Sequence, residues 1–180
     1  TCIAMDERPM DQLQAAWDLV KEADSQYRIE GAMNYKVGDT GLIDEMHDIS
    51  ILYYDAHVPR EYMDARRAKG QKTTFYTCCG PDRPNTFTFS DPAESAFLGW
   101  HAYTLGFDGY LRWAYNSWPV RPCQDSRFIT WSSGDCFLAY PTGSSIRMER
   151  LVEGIQAFEK LRILAPTLTP AQQKLLDRAL

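Results

Sequence analysis

The chain has 180 residues, enough for a domain with a hydrophobic core, and its charged residues (24%) and hydrophobic residues (44%) occur in ordinary globular proportions. Its formal net charge of −5 argues against a nucleic acid partner, because proteins that bind phosphate backbones carry basic surfaces. No apolar run reaches the roughly 18 residues that a membrane-spanning helix needs. The five cysteines lack the spacing of a zinc site or of a small disulfide framework. We expect no metal, and we expect no cofactor.

Apolar runs and helical patterns alternate along the chain. Runs typical of buried strands lie at residues 2–5, 29–33, 49–54, 73–78 and 110–114. Helical patterns begin near Pro9, Thr40, Pro59 and Asp91, and Glu94 stands at capping-box spacing from the last of these.

The pattern changes after Trp118. Residues 119–145 are rich in proline, serine and glycine, and their short apolar run at 136–140 predicts one more strand. This segment is too long for a simple connection, so we expect it to cover a site. Ser145 then starts a long amphipathic helix and Thr169 a final one.

Strands that alternate with helices predict an α/β fold with about five parallel strands and outer helices. The order fits an open sheet or part of an eight-stranded barrel. The barrel is favoured because the chain opens directly in a strand and a complete barrel needs about 250 residues. No glycine-rich phosphate loop follows the first strand, which argues against a dinucleotide-binding fold. We therefore predict one partial domain over residues 1–180, the C-terminal portion of a (β/α)8 TIM barrel.

Polar and aromatic side chains follow the predicted strands, at the sheet edge where parallel α/β folds bind ligands. Flat rings stack on the C–H faces of sugars and forked polar groups bind hydroxyls, so this composition predicts a sugar site. Each aromatic residue taken alone is better explained by core packing, and only their shared position favours a site. The candidate substrate-binding residues are Asn34, Tyr54, Tyr76, Arg112, Trp113, Asn116 and Trp118.

The adjacent carboxylates Asp6 and Glu7, directly after the first predicted strand, are the candidate catalytic residues. Neighbouring carboxylates repel, which favours a proton on one of them. The protonated group can then donate to a leaving oxygen while the ionised group stabilises positive charge. The alternative interpretation is a pair of acids near a helix start, where the helix dipole favours anions.

Several longer motifs lie between this acid pair and Leu164. They read FYTCCGP and PNTF (75–81 and 84–87), GFDGYLRWAYNSW (106–118), GDCFLAYP (134–141), and SIRME and EGI (145–149 and 153–155). Together with Asp6-Glu7 they resemble the catalytic domain of glycoside hydrolase family 123.

The resemblance implies a (β/α)8 barrel whose fourth to eighth strands are roughly those present here. It implies a glycosidase that removes terminal β-linked N-acetylgalactosamine with retention, by substrate-assisted catalysis. Asp6 would orient the 2-acetamido group, Glu7 would act as general acid and then general base, and the acetamido oxygen would be the nucleophile. Tyr76 or Tyr54 would contact the acetamido group.

Further expectations follow from this resemblance. Trp113 and Trp118 would form the floor on which the sugar stacks. The partner would be a glycan, and an unpaired barrel edge predicts self-association through the missing barrel half. The family also suggests secretion, or a location in the cell envelope or periplasm.

Two other classes of function stay open. One is a carbohydrate-binding protein without catalysis, and the other is an incomplete barrel fragment with a structural role. The sequence does not separate N-acetylgalactosamine from N-acetylglucosamine, because that choice depends on the orientation of one hydroxyl.

Overall fold

The structure is a computed structural model that describes residues 2–33, 37–38, 41–53, 57–79, 83–127 and 131–180. The chain folds into two compact units, residues 1–76 and residues 77–180. That both units belong to one domain stays a prediction. Within the described ranges, none of the helices combines the length and the apolar character that crossing a bilayer requires.

The first unit is built on a parallel β-sheet. Consecutive strands are neighbours and are joined by helices, as the alternating sequence pattern predicts. The strands are β1 (Cys2–Met5), β2 (Arg28–Met33), β3 (Asp48–Leu52) and β4 (Lys72–Tyr76). The connecting helices are α1 (Met10–Ala23), α2 (Gly41–Glu45) and α3 (Arg60–Ala68).

Apolar side chains from the strands and helices of this unit form its core. Burying a side chain of this size contributes about 1.5–3 kcal/mol, which offsets the entropy of ordering the chain. Its buried members include Leu13, Ile29, Met33, Ile43, Met46, Ile49 and Ile51.

Arg66 of α3 is buried at the edge of this core, where it holds backbone groups at the starts of two strands. Its guanidinium donates to the Met46 carbonyl at 2.8 Å, the Lys72 carbonyl at 3.0 Å and the Thr73 hydroxyl at 3.1 Å. Tyr62 donates to Asp44 beside it, and burial together with this hydrogen bond raises the pKa of Tyr62 to about 12.

Among its described residues, the second unit contains the fifth strand and three α-helices. They are α4 (Pro92–Leu105), β5 (Gly109–Leu111), α5 (Ile146–Leu164) and α6 (Pro170–Ala179), with a 3-10 turn at Ala165–Thr167. The Ser145 hydroxyl accepts from the Met148 amide at 3.1 Å and caps α5, as predicted. The α/β class with five strands is confirmed, and the element order is consistent with part of a (β/α)8 barrel.

Helices α4 and α5 pack through glycines. A Cβ added to Gly99 would lie 2.0 Å from the Gly154 carbonyl oxygen, and one added to Gly154 would lie 2.4 Å from the Ala96 carbonyl oxygen. These neighbours are backbone atoms, so rotation of a side chain cannot relieve the clash. The two helices approach this closely because neither carries a side chain at the crossing.

We expect Gly99→Ala to destabilise the protein by about 1–3 kcal/mol, the usual cost of overpacking, even though alanine favours the helix itself. Gly41→Ala is the matched control, because a Cβ at Gly41 meets nothing within 4 Å. Thermal unfolding should show a lower Tm for the first variant only. An unchanged Tm for Gly99→Ala would show that the close helix contact is wrong.

Three sequence predictions about local structure are corrected. Glu94 does not complete a capping box at α4: Asp91 accepts from Ala93, but the Glu94 carboxylate accepts from the Asn85 amide at 3.1 Å. The strand predicted at 136–140 is absent from the described residues, which show only isolated bridges there. The strands predicted to end at Cys78 and at Ala114 are shorter than expected. β4 ends at Tyr76 and β5 at Leu111, and the residues that follow are loop.

Candidate active site

The acid pair lies in a short loop of the first unit. β1 ends at Met5, which is buried, and α1 begins at Met10, so Asp6 and Glu7 leave the sheet together and both are exposed. The Glu7 amide donates to Asp6 Oδ1 at 2.9 Å. Successive residues of a strand point to opposite faces, so the end of the strand is what allows both carboxylates to reach one ligand.

Tyr76 is another predicted site residue, and it contacts the acid pair. Its side chain is 3% exposed at the end of β4, and its hydroxyl donates to Glu7 Oε1. In a flat sheet β1 and β4 would be about 14 Å apart, three strand spacings. A tyrosine and a glutamate side chain are long enough to bridge this separation, so the contact joins the carboxyl ends of β1 and β4.

This hydrogen bond changes the role expected of Tyr76. The hydroxyl donates to the Glu7 carboxylate and orients it, a contact that the sequence did not predict. Its predicted contact with an acetamido group stays a prediction. Asn34 and Tyr54, the other predicted binding residues of this unit, lie outside the described residues.

We expect Tyr76→Phe to lower kcat/KM for a glycoside substrate by about 10- to 100-fold, the loss that corresponds to one hydrogen bond to a charged group. Tyr27→Phe is the control, because Tyr27 is an exposed tyrosine of the same unit. Steady-state kinetics of both variants test this. Equal activity in the two variants would mean that the Tyr76 hydroxyl does not act on the acid.

The second unit carries a buried ion pair centred on Asp135. Its carboxylate is fully buried and accepts from Arg112 Nη2 at 2.8 Å, Trp113 Nε1 at 3.1 Å and the Cys79 amide at 2.7 Å. The Arg112 side chain is only 6% exposed. Its Nη1 donates to the Thr77 carbonyl at 2.9 Å. The observed role of Arg112 is to balance the Asp135 carboxylate, and its predicted direct contact with substrate stays a prediction.

The loop that follows β4 is tied to this ion pair. Cys79 has a φ of 61°, a left-handed conformation that costs a non-glycine residue about 1–2 kcal/mol. Hydrogen bonds on both sides of the residue hold it there, because Asp135 accepts from its amide and Ser132 Oγ donates to its carbonyl at 2.7 Å. Asp135 therefore fixes both this loop and the indole of Trp113.

Both predicted tryptophans lie at the surface of this unit, which argues against simple core packing. Trp113 is 41% exposed and meets Trp131 nearly edge to face, with ring centroids 5.6 Å apart. Trp118 is 39% exposed and its indole N–H donates to the Ala139 carbonyl at 2.7 Å. Because both indole N–H groups are used within the protein, the ring faces are what these residues can offer to a ligand.

Asn116 is also exposed, and its backbone forms an antiparallel bridge with Phe137. The structure thus groups the predicted residues into two clusters, Glu7 with Tyr76 and Arg112 with Trp113. That the acid pair faces the tryptophans stays a prediction. In the described ranges, no three histidine, cysteine, aspartate or glutamate side chains are arranged to hold a metal ion.

Sequence reasoning missed Asp135 and Trp131. Asp135 is a single acid inside the apolar run GDCFLAY, and a carboxylate in such a run indicates a buried partner. Trp131 stands in a serine-rich loop, with no periodic pattern around it that could indicate a contact with Trp113.

Comparisons with known proteins agree with the resemblance seen in the motifs. A family model described as glycoside hydrolase 123, catalytic domain, matches residues 1–164. The comparison with curated proteins found no match.

Among solved structures, one similar chain is a family 123 glycoside hydrolase from Clostridium perfringens, studied for the details of glycolipid glycan hydrolysis. Its sequence is 33% identical to this chain, and the two structures superpose with a TM-score of 0.83. The match covers 99% of this chain and 33% of the relative. The chain thus spans about one third of the length of this relative. With most of its length matched by the family's catalytic domain, the chain belongs to glycoside hydrolase family 123.

Proposed function

We propose that the protein is a retaining glycosidase that removes terminal β-linked N-acetylgalactosamine with the help of the substrate's own 2-acetamido group. The observation that carries the proposal is the exposed acid pair after β1, in which Tyr76 orients Glu7. Membership of a glycoside hydrolase family supports the reaction class. The relative from Clostridium perfringens, studied on glycolipid glycans, supports a glycan substrate.

In this mechanism Glu7 first donates a proton to the glycosidic oxygen. The acetamido carbonyl oxygen attacks C1 as the aglycone leaves, and a cyclic oxazolinium forms. The nucleophile is part of the substrate, so it is present at C1 at an effective molarity that no external group reaches. Glu7 then takes a proton from water as the water opens the ring at C1, and two inversions give net retention.

Asp6 has a different task in the same steps. Its carboxylate accepts a hydrogen bond from the acetamido N–H, which orients the amide for attack and offsets the positive charge of the oxazolinium. The hydrogen bond from the Glu7 amide to Asp6 Oδ1 supports this division, because it holds one oxygen of Asp6 and leaves the other for a ligand.

A second candidate is a carbohydrate-binding protein without catalysis. The exposed faces of Trp113 and Trp118 favour it, because stacking on sugar rings requires neither Asp6 nor Glu7.

Hydrolysis assays with the full-length protein distinguish the two. We expect release of the aryl group from an aryl β-N-acetylgalactosaminide, with the β-anomer of the free sugar appearing first in a proton NMR time course. The corresponding N-acetylglucosaminide tests the choice of sugar. Binding of a thiazoline inhibitor without any hydrolysis would favour the binding protein, and initial release of the α-anomer would contradict retention.

A further inference from the structure

Two half-exposed tryptophans of the second unit meet at a corner. The Trp113 and Trp131 rings are 41% and 36% exposed, with centroids 5.6 Å apart and planes at 68°. An edge-to-face contact covers only part of one ring face, so flat apolar surface stays open on both rings. We call this pair the tryptophan corner. Its two walls are steeply inclined to each other and offer a ligand contact on two sides.

The Trp113 wall of the corner is fixed by buried polar groups. Its indole N–H donates to the Asp135 carboxylate at 3.1 Å. The Arg112 guanidinium, which donates to the same carboxylate at 2.8 Å, lies 5.9 Å from the Trp113 ring centroid. Turning the ring away would take one donor from a fully buried carboxylate, which is costly. The wall is therefore held in one orientation, and the two charges beside it balance each other.

The Trp131 wall stands on a serine-rich loop whose backbone is held at the two residues that follow. Ser132 Oγ donates to the Cys79 carbonyl at 2.7 Å. The Thr88 amide donates to the Ser133 carbonyl at 2.9 Å, and the Thr88 hydroxyl donates to the Ser133 hydroxyl at 2.8 Å. These bonds order the loop before any ligand binds, and a surface that is already ordered loses little entropy on binding.

The corner has the surface chemistry of a site for a neutral sugar. Its ring faces supply flat apolar surface of the kind on which the C–H faces of a pyranose stack. No net charge attracts an ionic ligand, because the Arg112 charge beside the corner is balanced by Asp135. A chain that needed these rings only for its core would bury them, whereas both are held at the surface.

We propose that the tryptophan corner binds a neutral sugar ring of the glycan, with Trp131 as a binding residue beside Trp113. The sequence predicted a floor of Trp113 and Trp118, and the contact with Trp131 gives Trp113 a second wall. The identity of the ligand rests on the proposed glycosidase function. Both residues of the corner belong to the second unit, so its sugar binding does not depend on where the acid pair lies.

Oxidation by N-bromosuccinimide, which attacks exposed indoles, tests the corner directly. The experiment uses the full-length Glu7→Gln protein, a limiting dose of the reagent, and mass spectrometry that resolves each tryptophan. The ligand is a neutral trisaccharide with β-linked N-acetylgalactosamine at its non-reducing end, at a concentration that calorimetry shows to be saturating. We expect oxidation of Trp113 and Trp131 to slow about fivefold or more, because a bound sugar covers the ring faces. Trp100 of α4 is the matched control, because it is also 41% exposed, and its rate should not change.

Calorimetry of substituted proteins provides a second, independent measurement. In the same Glu7→Gln background, Trp131→Ala should raise the Kd for the trisaccharide about 3- to 10-fold, the loss that corresponds to one aromatic contact. Trp131→Phe keeps a flat ring and should raise the Kd less. Trp100→Ala removes an equally exposed indole from the same unit and should leave the Kd unchanged.

The two hypotheses fail in different ways. Equal oxidation of Trp131 with and without bound trisaccharide, or equal protection of Trp100, would overturn the corner as a sugar site. A trisaccharide that does not bind, or an unchanged Kd in Trp131→Ala, would overturn it as well. Absence of hydrolysis of the aryl glycoside would overturn the proposed function instead, and protection of the corner by the trisaccharide would then still support a sugar-binding site.

Discussion

Glu7→Gln is expected to lower kcat/KM for an aryl β-N-acetylgalactosaminide by about 10²- to 10⁴-fold, the usual contribution of a positioned general acid. Glutamine keeps the size of the side chain and can still accept from the Tyr76 hydroxyl, but it has no proton to give to a leaving oxygen. Glu7 is exposed, so the Tm should stay unchanged. Glu22→Gln, an exposed acid on α1, is the control and should keep full activity.

The two acids can be told apart by the leaving group. A dinitrophenyl aglycone leaves without protonation, so Glu7→Gln should lose far less activity on it than on a poor leaving group. Asp6→Asn acts on the acetamido group and should lose activity on both substrates to a similar extent. If Glu7→Gln lost the same factor on both aglycones, Glu7 would not be the general acid.

Asp135→Ala is expected to destabilise the protein by about 3–5 kcal/mol, because removal of one partner leaves the buried Arg112 guanidinium without its counter-charge. The Trp113 indole and the Cys79 amide lose their acceptor in the same variant. For a protein of this size each kcal/mol corresponds to about 2–4 °C in Tm. Denaturant and thermal unfolding of the variant measure both quantities.

Two comparisons separate the buried charge from general effects of substitution. Asp125→Ala removes an acid from an exposed pair with Arg127 and should leave the Tm unchanged. Arg112→Met combined with Asp135→Leu should cost less than Asp135→Ala alone, because no buried charge remains unpaired. A wild-type Tm for Asp135→Ala would contradict the ion pair.

The five observed strands were all predicted from the sequence, but a further strand predicted at 136–140 is absent from the described residues, and the ends of two strands were predicted too late. β1 was predicted at its observed bounds, whereas the runs at 73–78 and 110–114 continue past the last residue of β4 and of β5. Apolar residues continue there because some of them are still buried, as Ala114 is, or partly buried, as Cys78 is. After β4, the Thr77 carbonyl accepts a hydrogen bond from the Arg112 guanidinium. A local hydrophobic pattern does not reveal this long-range contact.

The residues at 136–140 also show how far a local apolar pattern can predict a strand. Cys136, Phe137 and Leu138 are buried, which gives them the composition of a strand, but they form only isolated bridges. A short apolar segment has a similar composition whether it is only buried or also paired as a strand, so periodicity alone does not distinguish the two.

Local features of the candidate site were predictable where its residues are neighbours in sequence. That Asp6 and Glu7 follow the first strand together could be predicted because they are adjacent and come after an apolar run, whereas their catalytic role stays a prediction. The contacts of Asp135 could not be predicted, because its partners Cys79, Arg112 and Trp113 are 56, 23 and 22 residues away. Only the fold brings these groups together.

Fluorination of the substrate's N-acetyl group tests the central claim most directly. Each added fluorine withdraws electrons from the acetamido oxygen and weakens it as a nucleophile, without changing the leaving group. If that oxygen attacks C1, kcat/KM should fall steeply and steadily from the acetyl to the trifluoroacetyl glycoside. A kcat/KM that is independent of fluorination would show that the nucleophile comes from elsewhere, and would contradict the roles given to Asp6 and Glu7.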